Sequence, residues 1–154
     1  MMPGLPEKSG KDPNFQTETI KGLVIIFYKN LLMGGPKQYT TAYAICWALA
    51  KRYNETAHID RLEELYKKTT IGYPLGLLQT IVFRDINLGR NTNRIYNYGY
   101  QSKPISLGDM ILSLDTSLAE ILNIFTEICV KYDIDTAFTA PIIEGLDLTK
   151  QGEI

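Results

Sequence analysis

Residues 106–132 read SLGDMILSLDTSLAEILNIFTEICVKY, with apolar side chains at every third or fourth position for about seven helical turns. Ser106 followed by Asp109 is typical of a helix start. Ser117 followed by Glu120 forms a second such signal, a capping box. Two alternatives therefore remain open: one long helix, or two helices separated at residues 115–116. Either way, this stretch predicts a largely helical protein.

The same spacing recurs upstream and predicts four more helices, at about residues 20–32, 38–53, 57–69 and 74–86. After an asparagine-rich loop the period changes to two, which is typical of a strand or hairpin near residues 94–104. We therefore predict a mainly α fold, a compact bundle of about five to six helices with a small β insertion. The predicted core includes Leu23, Phe27, Trp47, Leu62, Leu78, Leu118 and Phe125.

The composition is that of one soluble domain: 154 residues, 45% of them hydrophobic and 21% charged. We divide the chain into a flexible N-terminal arm (1–16), a helical bundle (17–140) and an acidic C-terminal tail (141–154). The longest apolar run is far shorter than a membrane span, so we expect no membrane partner. Cys46 and Cys129 have no second Cys or His at ligand spacing, which argues against a disulfide framework or zinc site and favours a reducing, cytoplasmic location.

Charge is distributed unevenly along the chain. Residues 1–103 carry 14 basic and 8 acidic side chains, a net of +6, whereas residues 104–154 carry 2 and 9, a net of −7. If the two halves lie on different surfaces, the acidic half of one molecule can meet the basic half of a neighbour. The alternative is that the halves interdigitate in the bundle and the asymmetry disappears in space.

The chain offers little that predicts catalysis. His58 is the single histidine and has no Ser or Cys nucleophile nearby in sequence, which favours a surface or helix-cap role. Glu127, Asp133 and Asp135 could bind a hard cation, but their spacing does not require one and favours a solvated helix end. The phosphate-binding glycine motifs and nucleophile elbows of enzymes are missing from the sequence. We therefore predict no enzyme activity, no catalytic residues, no cofactor and no metal site.

A basic and aromatic stretch follows the fourth predicted helix. Arginines or lysines can hold phosphates while tyrosine rings stack on bases, as on surfaces that bind single-stranded nucleic acid. The alternative is a packed hairpin whose tyrosines cover the bundle and whose arginines are merely solvated. On the first interpretation, the candidate nucleic-acid-binding residues are Arg84, Arg90, Arg94, Tyr96, Tyr98 and Lys103, with Tyr100 nearby and with Lys51 and Arg52 extending the same surface.

Three short segments carry a family resemblance. Gly76-Leu77-Leu78-Gln79-Thr80-Ile81-Val82-Phe83 resembles a Gly-Leu-x-Gln-x-hydrophobic-x-Phe segment of the small helical subunit of type III-B CRISPR (Cmr) effector complexes, which silence RNA. Residues 60–68 stand where that family has a preceding helix, and Ala119-Glu120-Ile121-Leu122 is similar to part of its late helix. The resemblance implies a non-catalytic subunit of an antiviral ribonucleoprotein. Such a subunit stacks on its own copies, contacts other effector subunits, and lines the duplex of guide RNA and target RNA.

Two other classes of protein remain as alternatives. A helical structural protein, such as the coat subunit of a filamentous archaeal virus or another self-assembling interaction module, would also need a bundle, a free N-terminal arm and self-association. A small regulatory enzyme with a cryptic site is the third interpretation.

Overall fold

The computed structural model describes residues 13–97 and 103–139. A helical turn, α1 (Pro13–Gln16), precedes four helices: α2 (Ile20–Met33), α3 (Gln38–Arg52), α4 (Thr56–Lys67) and α5 (Leu75–Asn87). Two short antiparallel strands follow, β1 (Ile95–Tyr96) and β2 (Ile105–Ser106), and Ile95 pairs with Ser106. The chain then forms α6 (Leu107–Lys131) and a 3₁₀ turn at Ala137–Thr139. The predicted class, a mainly α bundle with a small β insertion, is confirmed.

Helix α3 occupies the centre of the bundle. It contacts α1, α2, α4, α5 and α6, and every residue from Ala42 to Ala50 is buried. Four of these nine residues are alanines and another is Cys46, so neighbouring helices can approach α3 closely on several sides. Longer side chains fill the remaining space, as Tyr43 does against Tyr66 of α4, with ring centroids 4.6 Å apart.

The predicted core is confirmed. Leu23, Phe27, Trp47, Leu62, Leu78 and Phe125 are buried, and Leu118 is partly buried against them. Phe27 of α2 stacks on Phe125 of α6 with ring centroids 3.8 Å apart, which joins the second helix to the last one. Both rings are fully buried, so the pair stabilises the bundle chiefly through the apolar area that it removes from water.

Helix α6 is continuous, so the alternative of a break at residues 115–116 is wrong. Ser106 caps its start, because its Oγ accepts a hydrogen bond of 3.0 Å from the backbone nitrogen of Asp109. Ser117, the residue that suggested a second cap, is fully buried in mid-helix. Burial of its inward-facing neighbours holds the helix together across this point, which overrides the local capping signal.

Polar side chains from neighbouring helices satisfy several helix ends. Gln38 donates to the carbonyl of Leu31 at the end of α2 (3.2 Å), and Gln79 of α5 accepts from the backbone nitrogen of Thr40 in the first turn of α3 (3.2 Å). Gln79 belongs to the segment that carries the family resemblance. Its position is therefore explained by helix capping within the bundle.

Helices α3 and α6 end in the same way and at the same end of the molecule. Each is followed by a tyrosine and then by a residue in the left-handed region, Asn54 with φ 54° and Asp133 with φ 53°. The two tyrosines, Tyr53 and Tyr132, stack with ring centroids 4.1 Å apart. Asn and Asp are the non-glycine residues that best tolerate this conformation.

The predicted domain limits can be compared with the structure only in part. Phe15 of α1 lies within the predicted arm, yet it packs against the core, so the packed region begins before residue 17. The acidic tail (141–154) and residues 1–12 lie outside the described residues. Across 13–97 and 103–139, no helix has the length and hydrophobicity needed to cross a membrane.

Candidate nucleic-acid interface

Asp85 organises the basic residues at the end of α5. Its spacing of three and four from Val82 and Ile81 turns its side chain inward, where it is 2% exposed. Its carboxylate accepts a hydrogen bond of 2.8 Å from Nε of Arg84 and another from the hydroxyl of Tyr96. The hydrogen bond from Arg84, followed by that from Tyr96, lowers the pKa of Asp85 from 3.8 to about 2.

The loop after α5 wraps around this carboxylate. The backbone nitrogen of Arg90 donates to the carbonyl oxygen of Asp85 (2.9 Å), and Nε of Arg90 lies 3.9 Å from its carboxylate. Further along, Thr92 and Arg94 accept hydrogen bonds of 2.9 Å from the backbone nitrogens of Gly108 and Leu107, respectively. The loop is thus fixed at both ends, by Asp85 of α5 at its beginning and by the first residues of α6 at its end.

The structure brings three of the predicted arginines together. Arg84 is 53% exposed and Arg90 is 36% exposed, so both present guanidinium groups to solvent while contacting Asp85. Arg94 is also exposed, and its guanidinium carbon lies 5.5 Å from the centre of the Tyr96 ring. Arg84 and Arg90 contact the carboxylate of Asp85, and Arg94 lies over the Tyr96 ring that donates to the same carboxylate, so three arginines share this surface with one acidic group.

Tyr96 differs from the role predicted for it. Its side chain is 5% exposed, and burial together with the adjacent Asp85 raises the pKa of its hydroxyl. A ring in this position cannot stack on a base without leaving the core, so base stacking by Tyr96 is corrected to a positioning role beneath Arg94. Tyr98 and Tyr100 lie outside the described residues. Lys103 is exposed just before β2, at the same end of the molecule.

Lys51 and Arg52 do not extend this surface. They lie at the end of α3, where Tyr53 stacks on Tyr132, whereas the arginines cluster beside the first residue of α6. The 25 residues of α6 separate the two ends by about 36 Å. Arg52 also has a structural task, because its guanidinium donates to the carbonyl oxygen of Gln16 (2.9 Å) and holds the chain before α2. A single basic surface containing both groups is therefore wrong.

A second polar cluster, which the sequence did not predict, joins α4 to α6. Nδ1 of His58 lies 2.8 Å from Glu55, and Nε2 lies 3.0 Å from Glu127. Arg61 contacts both Glu127 and Glu120 at 2.8 Å. Carboxylates only accept hydrogen bonds, so a ring nitrogen of His58 donates to its carboxylate only when that nitrogen carries a proton.

Glu55 anchors this cluster at the end of α6. It is 7% exposed, it lies 2.8 Å from Nζ of Lys131, and it accepts a hydrogen bond from the hydroxyl of Tyr132. These contacts, with Lys131 contributing most, lower the pKa of Glu55 from 4.5 to about 2. Residues 55–61 and 120–131 carry complementary charges, which is the only sign of this cluster in the sequence. Because the two segments are far apart along the chain, the sequence does not show that these charges meet.

This cluster has the character of a structural network. The part of the chain that the structure describes holds no group of three or more His, Cys, Asp and Glu side chains able to bind a metal ion. Glu127 is engaged by Arg61 and His58, which removes it from the cation site considered with Asp133 and Asp135. The contacts of Arg61 and Lys131 also pair charges from the two halves of the sequence within one molecule.

Both cysteines are buried. Cys46 is fully enclosed and Cys129 is 5% exposed, and burial raises the pKa of each thiol, that of Cys129 to about 11. They are therefore packing residues with little thiolate character.

Comparison with known proteins adds no relatives. No protein-family model matches this chain, and neither the curated proteins nor the solved structures yielded a significant match. The interpretation of the site therefore rests on its own geometry.

Proposed function

We propose that this protein is a non-catalytic nucleic-acid-binding module that contacts the sugar-phosphate backbone through Arg84, Arg90 and Arg94. The single observation that supports this most is the buried carboxylate of Asp85, which fixes exposed guanidinium groups around it. A pre-positioned arginine loses less conformational entropy on binding a phosphate than a freely rotating one. Lys103 adds a further positive charge at the same end of the molecule.

We further propose a setting for this activity, the small subunit of an RNA-guided CRISPR effector complex in the cytoplasm. Support comes from the resemblance of residues 76–83 and 119–122 to that family and from the helical fold. In this setting the arginine surface lies along the duplex of guide RNA and target RNA and reads no sequence, since its contacts go to phosphates. The partners are then the two RNAs, other effector subunits and further copies of this chain.

A binding experiment tests the proposed surface. Fluorescence anisotropy of the full chain with several unrelated single-stranded RNAs is measured over a range of salt concentrations. The variant Arg90→Ala, Arg94→Ala should bind more weakly to every RNA, and the slope of log affinity against log salt should fall by about 1.4, about 0.7 for each lost phosphate contact on a single strand.

A matched control removes the same charge elsewhere. Lys21→Ala, Lys51→Ala takes two exposed lysines from the opposite end of the bundle and should leave the salt slope unchanged. Equal losses in both variants would mean that binding depends on total charge, and unchanged binding of the arginine variant would remove this surface from the function. A loss confined to one RNA sequence would contradict backbone recognition.

The proposed setting has its own experiment. Purification of the tagged chain from its native host, with both proteins and nucleic acids identified, should recover CRISPR guide RNA and effector subunits. Recovery of virion components would instead favour the coat-protein alternative.

A further inference from the structure

Helix α2 is hydrophobic on almost every side. Ten of its 14 residues are hydrophobic, and its charged residues are two lysines, Lys21 and Lys29. A helix of this composition normally has neighbours on more than one side. Among the described elements, α2 packs chiefly on α3 and on the 3₁₀ turn at Ala137–Thr139, and Phe27 reaches α6.

One face of α2 points away from these neighbours. Spacings of four and three place Ile25, Lys29 and Leu32 on the side opposite the buried residues, and Met33 follows at the helix end. Lys29 is exposed, Met33 is 79% exposed, and Ile25 and Leu32 are partly exposed. Among the described residues, the side chains that pack against the core include Leu31 but neither Ile25 nor Leu32. We call these four residues the α2 outer face.

The chain that follows α6 returns to α2. Asp133 and Ile134 line one cavity together with Ile20, so this segment passes the first turn of α2. The 3₁₀ turn at Ala137–Thr139 then contacts α2. Thr139, the last residue that the structure describes, is 1% exposed. Residue 140 therefore continues the chain from a buried point beside α2.

The sequence after this point combines hydrophobic and acidic residues. Residues 140–154 contain three acidic side chains and one basic one, a net charge of −2, whereas α2 carries +2. Fifteen extended residues reach roughly 50 Å, more than twice the length of α2, which is about 21 Å. The hydrophobic residues nearest to Thr139 in this segment are Ile142, Ile143, Leu146 and Leu148.

We propose that the acidic C-terminal tail of this chain packs on the α2 outer face of the same molecule. The hydrophobic residues of the tail cover Ile25, Leu32 and Met33, and its carboxylates lie near Lys29. A short covalent attachment at Thr139 gives the tail an effective concentration of about millimolar at this face, which favours it over a second copy or another protein. This inference is independent of the proposed nucleic-acid binding.

Paramagnetic broadening in NMR spectra of the full chain tests the contact. A spin label on Lys29→Cys should broaden the amide signals of residues 142–148, and Cys46 and Cys129 are buried, which directs the label to the introduced cysteine. The matched control Lys67→Cys places the label on an exposed lysine of α4 and should leave these signals sharp. Sharp tail signals with the Lys29→Cys label, or equal broadening from both labels, would overturn the proposal.

A mixed sample identifies the occupant. Spin-labelled Lys29→Cys chain without isotope is added to isotope-labelled chain without spin label, and the tail signals of the second chain should stay sharp. Broadening of these signals would mean that the tail of another copy occupies the α2 outer face, which would overturn packing within one molecule.

Urea denaturation tests whether the contact stabilises the fold. Leu32→Glu should lower the urea midpoint of the full chain more than that of a chain ending at Thr139, because the charge disturbs the tail contact only where the tail is present. The control Leu112→Glu makes the same change at an exposed leucine of α6 and should shift both midpoints equally. An equal shift for Leu32→Glu in the two chains would overturn the proposal.

Discussion

At the scale of single residues, two buried serines one turn apart on α6 have different hydrogen bonding. The hydroxyl of Ser113 lies 2.6 Å from that of Thr70, which connects the α4–α5 loop to α6. Ser117 is 0% exposed, and its hydroxyl has no hydrogen-bond partner among the described residues. A buried polar group without a partner loses its hydration and gains nothing in return.

The pair allows a matched test. Ser117→Ala should raise the free energy of unfolding by about 1 kcal/mol, because it removes an unpaired hydroxyl with almost no change in volume. Ser113→Ala should lower it by about 0.5–1.5 kcal/mol through loss of a satisfied hydrogen bond. Urea denaturation followed by circular dichroism measures both. A destabilised Ser117→Ala would mean that this hydroxyl has a partner after all.

At the scale of elements, the left-handed residues after α3 and α6 determine where these helices stop. The backbone nitrogens of Glu55 and Ile134 return to the carbonyls of Ala50 and Cys129, both at 2.9 Å, which closes each helix end. These turns bring Tyr53 and Tyr132 together and direct the chain into the next segment. A residue other than Gly, Asn or Asp would be strained at either turn.

Substitution of Asp133 separates this conformational effect from charge. Asp133→Ala and Asp133→Gly remove the same carboxylate from a helix C-terminus, but only glycine adopts a positive φ freely. We expect Asp133→Ala to be less stable than Asp133→Gly by about 1 kcal/mol in thermal or urea unfolding. Equal stability of the two variants would show that the positive φ at residue 133 is not maintained in solution.

The number and position of helices were predictable because apolar spacing reports directly on helix faces. The sequence placed α2, α3, α4 and α5 within a few residues of their observed limits. The capping signal at Ser117 suggested a helix boundary that does not exist, since a local motif does not show that tertiary contacts keep α6 continuous. The central position of α3 was also not predictable, because alanines occur in helices that pack against one neighbouring helix and in helices that pack against several.

At the scale of the whole molecule, carboxylates with lowered pKa values connect stability to pH. Glu55 and Asp85 each have a pKa of about 2 in the folded protein, below their ordinary values of 4.5 and 3.8. As pH falls, the unfolded chain therefore takes up these protons first. The stabilisation from both groups is complete above about pH 5 and is lost as pH falls towards 2.

Denaturant titrations at several pH values measure this contribution. Glu55→Gln and Asp85→Asn should each lower stability at neutral pH, and both should flatten the loss of stability between about pH 5 and about pH 2. The wild-type chain should show the steepest loss. An unchanged pH profile in both variants would mean that these carboxylates titrate normally in the folded state.

The candidate interface was predictable in composition but not in arrangement. The basic residues that follow Asp85 without a further acidic residue predicted a basic surface, and the structure gathers Arg84, Arg90 and Arg94 at one end. The roles of Asp85 and Tyr96 depend on a hydrogen bond between residues 11 positions apart, which no local pattern encodes. Lys51 and Arg52 were misplaced for the same reason, because sequence alone does not say which helix ends meet.

The central position of α3 has a consequence for the order in which this protein can fold during synthesis. The helix that covers much of α3, α6, is complete only at Lys131, whereas α3 is complete at Arg52. At typical rates of about 5–20 residues per second, synthesis of the residues between these two points takes roughly 4–16 s. During that interval one side of α3 lacks its cover, and this nascent chain is the form most exposed to chaperones and to aggregation.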